Sequence, residues 1–374
     1  MDRDDLQKNV HILATMEETE MPVVSCYLNT EQGYPSCQAF LAERTILLKR
    51  IIPPEQRESL DHSLERIESY VHENAYARDV RGIAVFVRTV ENPFLLGLRF
   101  HVPLPNLLLV DSVPNIFHLV ELKETYDRYV VVVMTRKRAA ILEINLGAVT
   151  RQTWSEYPVL PERVSREWTK EQYQRHRRKQ TEEAIREKIK VVDRLVSANG
   201  HSHLILAGDA HMVERLKANL PPHLRHKLVD TVFAKANDKQ SDIVEATLSS
   251  FIEFREQQSH TYVEMLQRST YTNGLGITGT LGSIQCMRHA RADVLILAKE
   301  YAPGPAWRCA CCQEIQIGQS QPNACPECST TQFREIDVKE EMLRLAQGSS
   351  CKVVMLQDCD FLVSCGGVGC LTRY

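Results

Sequence analysis

Two short constellations in this chain of 374 residues combine residue types and spacing that can do chemistry. The first is a pair of Cys-x-x-Cys knuckles, Cys309 with Cys312 and Cys325 with Cys328, separated by twelve residues. Thiolates two residues apart in a tight turn point at one ion. Two such turns complete the tetrahedral sulfur shell that zinc favours at roughly 2.3 Å. A closed four-thiolate shell leaves no position for water, so the expected zinc is structural rather than catalytic. Free thiols or a redox pair are the alternative. Cys311 is a further donor that can displace a neighbour as ligand.

The second constellation is REWTKEQYQRHRRKQTEE, from Arg166 to Glu183. Between Arg163 and Lys190 ten Lys or Arg stand against five Asp or Glu. Cations at that density neutralise phosphates and release counterions. The plainer alternative is a solvated helix face held by i,i+4 pairs such as Arg178 with Glu182, each worth only a few tenths of a kcal/mol.

Elements of three kinds must position these groups. Early in the chain VVSCYLNT (Val23 to Thr30) and GIAVFVRT (Gly82 to Thr89) read as buried strands. Leu60, Leu64, Ile67 and Val71 fall at helical spacing after a proline start. From Asp127, an apolar run, the break TRKR, a second run, the turn NLG and a third run predict an antiparallel meander. A charged helix from about Glu171 to Ser197 follows, then the strand HLILAG, the short helix HMVERLKANL, the strand LVDTVF and a long helix from about Ser241 to Leu266. The last part has a glycine-rich entry, a helix, the buried strand DVLILA, the cysteine insert, the helix VKEEMLRLAQGS, the strand KVVML and the terminus GGVGCLTRY. The expectation is a mixture of α+β and α/β layers in three domains, 1–126, 127–270 and 271–374, with linkers near Lys123 to Asp127 and Ser269 to Gly276.

Composition narrows the function classes little. The net charge of -3 excludes a globally basic nucleic-acid binder, so any such role rests on local patches. Ten of the twelve cysteines lie after residue 285; only Cys26 and Cys37 do not, and local clustering points to metal. Cys286, Cys351, Cys359, Cys365 and Cys370 sit in apolar surroundings and read as core residues. Acidic residues in MDRDDLQKNVHIL stand where a signal peptide needs positive charge, and no stretch stays apolar long enough to span a bilayer, so a cytoplasmic location without membrane contact is expected. No phosphate-cradling GxxxxGK[ST], nucleophile elbow or HExxH occurs. His201, His203 and His211 read as loop or strand-edge residues rather than ligands.

The element order, the two-knuckle insert and the closing Gly366, Gly367, Gly369, Arg373 and Tyr374 resemble the release factor and Pelota superfamily of archaea and eukaryotes, in a bacterial, hibernation-like branch. Its motifs are specific after about residue 270, weaker in RYVVVVMTRKRAAILEINLG and HLILAGDAHMVERLKANL, and reduced to element order in the first domain. The resemblance implies a three-domain architecture with a zinc-binding insert in the C-terminal domain, and occupation of the ribosomal A site. The first domain would face the decoding centre, the second the peptidyl-transferase centre, and the third a translational GTPase such as elongation factor Tu. Release factors of this family hydrolyse peptidyl-tRNA with a Gly-Gly-Gln loop before a long helix of the middle domain. The matching position falls on Lys170, Glu171 and Gln172, and no glycine occurs between Gly147 and Gly200. Those glycines take positive φ and let backbone approach the ester, which Lys and Glu do not. The Asn-Ile-Lys-Ser decoding loop has no counterpart in LLKRIIPPEQR. Ribosome binding without peptide release is therefore expected, most simply in hibernation or protection, with no catalytic residue. Rescue by a peptidyl-tRNA hydrolase using Gln172 is the alternative. In that setting Lys170, Gln172, Arg175, Arg177, Arg178 and Lys179 are expected to grip ribosomal RNA, and Trp168, Tyr173 and His176 to stack on an unpaired base or ribose.

Overall fold

The computed structural model describes residues 1–19, 22–77, 79–135, 138–156, 170–198, 201–235, 237–272, 274–357 and 359–373. The chain opens with helix α1 (Arg3–Ala14), whose first turn is capped by the Asp2 carboxylate accepting from the Asp5 N–H at 2.9 Å. Then come β1 (Val23–Asn29), α2 (Tyr34–Ile51), α3 (Arg57–Asn74), β2 (Gly82–Arg88), β3 (Phe94–Phe100), β4 (Leu107–Asp111) and α4 (Phe117–Thr125). The strands form one antiparallel sheet in the order β3-β2-β1-β4. Both faces of β1 are covered, so it is buried continuously from Val23 to Leu28 rather than on alternate residues. Val24, Cys26 and Leu28 meet Leu60, Leu64, Ile67 and Val71 of α3, the residues whose helical spacing is visible in the sequence.

The meander follows as β5 (Tyr129–Met134), β6 (Arg138–Asn145) and β7 (Ala148–Glu156), then α5 (Lys170–Ala198), β8 (Leu204–Gly208), α6 (Ala210–Asn219), α7 (Pro222–Arg225), β9 (Leu228–Phe233) and α8 (Gln240–Tyr271). The five strands order as β7-β6-β5-β8-β9, antiparallel through the meander and parallel from β5 to β9. One face of β5, through Val130, Val132 and Met134, packs on Ile185, Val192 and Val196 of α5 and on Met212, Val213 and Leu216 of α6. The other, through Tyr129, Val131 and Val133, packs on Ile243 and Phe251 of α8, with the Tyr129 and Phe251 rings stacked at 4.5 Å. At the end of β8, Gly208 has φ 144, and a Cβ there would stand 1.9 Å from the Met134 carbonyl oxygen, so only glycine fits.

The last part holds β10 (Gly276–Thr278), α9 (Thr280–Arg288), β11 (Ala292–Ala298), β12 (Ala306–Cys309), β13 (Ile315–Ile317), β14 (Phe333–Ile336), α10 (Val338–Gly348), β15 (Lys352–Leu356), α11 (Asp360–Ser364) and β16 (Val368–Thr372). Its main sheet runs β10-β16-β11-β15, and the cysteine insert has its own antiparallel sheet, β13-β12-β14. Gly366 and Gly367, at φ 86 and 79, end α11: the Gly367 N–H donates to the Leu362 carbonyl at 2.7 Å. That turn is why the closing pattern carries two glycines; Tyr374 lies outside the described residues.

The chain forms two compact units, residues 1–125 together with 256–374, and residues 126–255. The first and last thirds share a unit because polar ties join them. Glu340 of α10, buried, accepts from the Ile116 and Phe117 N–H groups at 2.8 and 3.0 Å and so caps α4. Glu18 pairs with Arg308 of β12 and, at 3.1 Å, with Arg334 of β14. Burial opposes its charge, but Arg308, Arg334 and Arg344 hold the Glu18 carboxyl below its ordinary value. Of the expected linker from Ser269 to Gly276, the first three residues are helical. α8 continues to Tyr271, because Leu266 is fully buried and packs against Gly369 of β16. Among the described residues no helix is long and apolar enough to cross a membrane.

Candidate functional site

The two knuckles are built alike. In the first, the Cys309 N–H donates to the Glu314 carbonyl at 2.9 Å and the Gln313 N–H to the Cys309 carbonyl at 3.1 Å. In the second, the Cys325 N–H donates to Thr330 at 2.8 Å and the Ser329 N–H to Cys325 at 2.9 Å. Each turn ends on a residue of positive φ, Gln313 at 63 and Ser329 at 59. A non-glycine side chain there costs about 1 kcal/mol or more and persists where its surroundings fix it.

The outcome is four sulfurs within 4.8 Å of one another, with Cys309 and Cys328 at 3.4 Å and Cys312 and Cys325 at 3.4 Å. A tetrahedron with metal–sulfur bonds of 2.3 Å has sulfur–sulfur edges of about 3.8 Å. The set therefore closes on one ion with small shifts. Four thiols this close cannot all ionise unaided. Burial opposes ionisation of Cys309, yet the backbone N–H groups of Cys312 and Cys311 bring it down to about 6. A backbone contact from Glu314 favours the Cys312 thiolate, but burial and the thiols of Cys325, Cys309 and Cys328 push it up to about 12. A divalent cation removes that conflict. Cys311 is exposed and outside the group, so it displaces no neighbour. Cys311→Ser is expected to leave metal content unchanged in elemental analysis of the purified chain; loss of the ion would make Cys311 a ligand.

A residue that the sequence did not flag anchors this module. Arg288 of α9 donates to the Glu314 carboxylate at 2.7 Å and to the Cys312 carbonyl at 3.4 Å. Isolated arginines carry no local signal for such a role. Of the other cysteines expected in the core, Cys286, Cys351 and Cys370 are buried, but Cys359 and Cys365, flanking the short α11, are only half-buried.

α5 holds the second constellation. Among the described side chains of α5, the first that is buried is Ile185, about 22 Å along the helix from Lys170. Gln172, Arg175, Arg178 and Lys179 are exposed on it, and His176, half-buried, meets the Gln180 amide at 3.1 Å. Lys170, Gln172, Tyr173 and Arg177 lie on the same helix, but the side chains of Lys170, Tyr173 and Arg177 fall outside the described residues, as does the whole of Trp168. Gln172, matched to a loop by sequence, sits in the first turn of α5. Of the histidines, His201 is buried against Glu143 at 3.2 Å, and burial lowers His203, which contacts the Phe251 and Phe254 rings.

Residues 114–251 match the family model of bacterial archaeo-eukaryotic release factor family 10. The match spans the second unit almost entirely and with it all of α5. The fold is similar to several solved structures. A model of ribosome-bound archaeal Pelota and ABCE1 gives 13% identity, a TM-score of 0.43, and coverage of 100% of this chain and 94% of that one. The Saccharomyces cerevisiae factor Dom34, described as a translation termination-like factor interacting with Hbs1, gives 10% identity, a TM-score of 0.41, and coverage of 78% and 80%. Archaeoglobus fulgidus Pelota gives 13% identity, a TM-score of 0.35, and coverage of 78% and 79%. No curated protein matches the sequence.

Proposed function

We propose, from the place of residues 114–251 in the bacterial branch of the release factor and Pelota superfamily, that this chain is a ribosome-binding translation factor that occupies the A site without releasing peptide. Hibernation or protection of idle ribosomes is the role it fits, close in character to the bacterial hibernation factor Balon. The observation that carries this reading is α5 itself. Where a release factor needs a glycine-bearing loop, this chain has no glycine from Ala148 through Asn199, and its Gln172 is helical, with exposed cations behind it. The helical backbone at Gln172 carries a side chain on every residue and lacks the glycines that let a loop approach an ester closely.

The four cysteines hold a structural zinc in this reading, and the C-terminal sheet next to them meets a translational GTPase such as elongation factor Tu, in the cytoplasm. The purified chain is expected to pellet with vacant bacterial ribosomes at low salt, and to release no labelled peptide from stalled complexes. Failure to pellet with ribosomes sinks the reading. Peptide release by the wild type that is lost in Gln172→Ala establishes the second reading, a hydrolase of rescue; Gln172, exposed at the start of α5, is the residue that keeps it open.

A further inference from the structure

The basic character of α5 does not end at its tip. From Glu182 onward each carboxylate of the helix meets a particular partner, a Lys or Arg in three cases and a histidine in the fourth. Glu182 meets Arg215 of α6 at 3.6 Å, Glu183 meets Lys179 at 4.0 Å, Glu187 meets Lys188 at 3.6 Å, and Asp193 meets His223 at 2.7 Å. Left over, exposed and without an ion pair among the described residues, are Arg175, Arg178, Arg186, Lys190 and Arg194. At 100° per residue, Arg175, Arg186, Lys190 and Arg194 fall within an arc of about 100°, along about 28 Å of helix. The last three follow one another at about 6 Å along the axis.

Two other features narrow the partner. Phe233, on β9, is the one exposed large apolar side chain among the described residues of the second unit, so among those residues the stripe has no aromatic or aliphatic anchor of the kind on which protein interfaces depend. From Thr181 to Ala198, where Arg186, Lys190 and Arg194 lie, the helix holds no Phe, Tyr, Trp or His, so this part offers no aromatic stacking platform of the kind that unpaired bases need. A rigid row of unpaired cations with neither feature matches paired RNA, read through its phosphates.

We infer that Arg186, Lys190 and Arg194 continue the tip into a rail that holds the phosphate backbone of an RNA duplex. This rests on the ribosome-binding reading for its setting and adds the class of RNA structure recognised. The rail acts by charge and counterion release, so it is indifferent to sequence and sensitive to salt.

Binding of the full chain to a fully paired RNA hairpin, followed by fluorescence anisotropy across a salt series, tests it. Arg186→Gln, Lys190→Gln and Arg194→Gln together are expected to weaken binding on the order of tenfold or more, and to reduce the slope of log affinity against log salt by roughly 2 to 3, at about 0.9 per phosphate. The charge-conserving pair Arg186→Lys and Arg194→Lys keeps the wild-type slope, which separates lost charge from lost folding. An unchanged slope in the triple variant overturns the rail. So does a wild type that ignores the hairpin while the triple variant loses ribosomes, since that outcome assigns the stripe to a protein. A wild type that binds the hairpin with the expected slope loss but does not pellet with ribosomes supports the rail and removes the ribosomal reading.

Discussion

Replacing Cys312 and Cys325 together by serine is expected to strip the bound ion and unfold the segment from Ala306 to Ile336. Each knuckle then keeps one thiolate, and two sulfurs cannot close a tetrahedral shell. Structural zinc in finger peptides binds with an apparent 10–16 kcal/mol at neutral pH, comparable with the roughly 5–15 kcal/mol that stabilises a whole domain. A sheet of three short strands has no core of its own to replace that. The loss spreads along the ion pairs: with Arg308 and Arg334 no longer fixed on β12 and β14, Glu18 loses both partners. Hydrogen exchange is expected to accelerate in residues 306–336 and in the segment following α1, while β1 and β2, held by the core under α3, stay protected. Elemental analysis is expected to find one metal ion, zinc on the proposed reading, per wild-type chain and none in the double variant. Unchanged metal content and unchanged exchange would mean that the cysteines are free thiols or a redox pair.

Glu340 carries the second large effect. Burial is the first cause that raises its carboxyl, to about 8, with Asp337 adding repulsion, against the two backbone N–H groups of Ile116 and Phe117 that favour the charged form. A carboxyl raised in the folded chain favours folding fully below its unfolded value of about 4.3 and loses that contribution as pH rises through the folded value. The chain should therefore lose stability between about pH 5 and pH 8, by at most about 1.4 kcal/mol per pH unit from this group. Glu340→Gln keeps an acceptor but cannot ionise, so its melting temperature is expected to be flatter over the same range. Glu340→Ala removes both acceptors, leaves the first N–H groups of α4 unpartnered, and is expected to cost about 2–5 kcal/mol in denaturant unfolding at pH 6. Equal pH slopes in the wild type and Glu340→Gln would show that Glu340 keeps an ordinary carboxyl.

Why one set of features was legible in the sequence and another was not follows from range. Elements declare themselves locally. The sequence reads as a charged helix from about Glu171 to Ser197, and α5 runs Lys170–Ala198; the break and turn residues predict the meander, and β5 to β7 form it. The knuckles are legible because ligand spacing is a property of a tight turn. What joins the first third to the last is not local. Glu340 reaches the Ile116 N–H across 224 positions and Glu18 reaches Arg308 across 290, and a lone glutamate in either stretch gives no sign of its partner. Hence the first and last expected domains, each with its own sheet, fall in one compact unit. The start of the linker expected from Ser269 to Gly276 is helical for a related reason: packing of Leu266 against Gly369 keeps α8 helical to Tyr271. On α5, charge density was legible but the pairing of its carboxylates was not, because Arg215 and His223 belong to other helices.

A cryo-EM map of the chain on vacant ribosomes tests the central claim most directly. The account predicts density in the A site, the start of α5 directed at the peptidyl-transferase centre with Arg175, Arg178 and Lys179 against ribosomal RNA, and the cysteine module folded around one ion. Density away from the A site, or α5 turned to solvent, would contradict it.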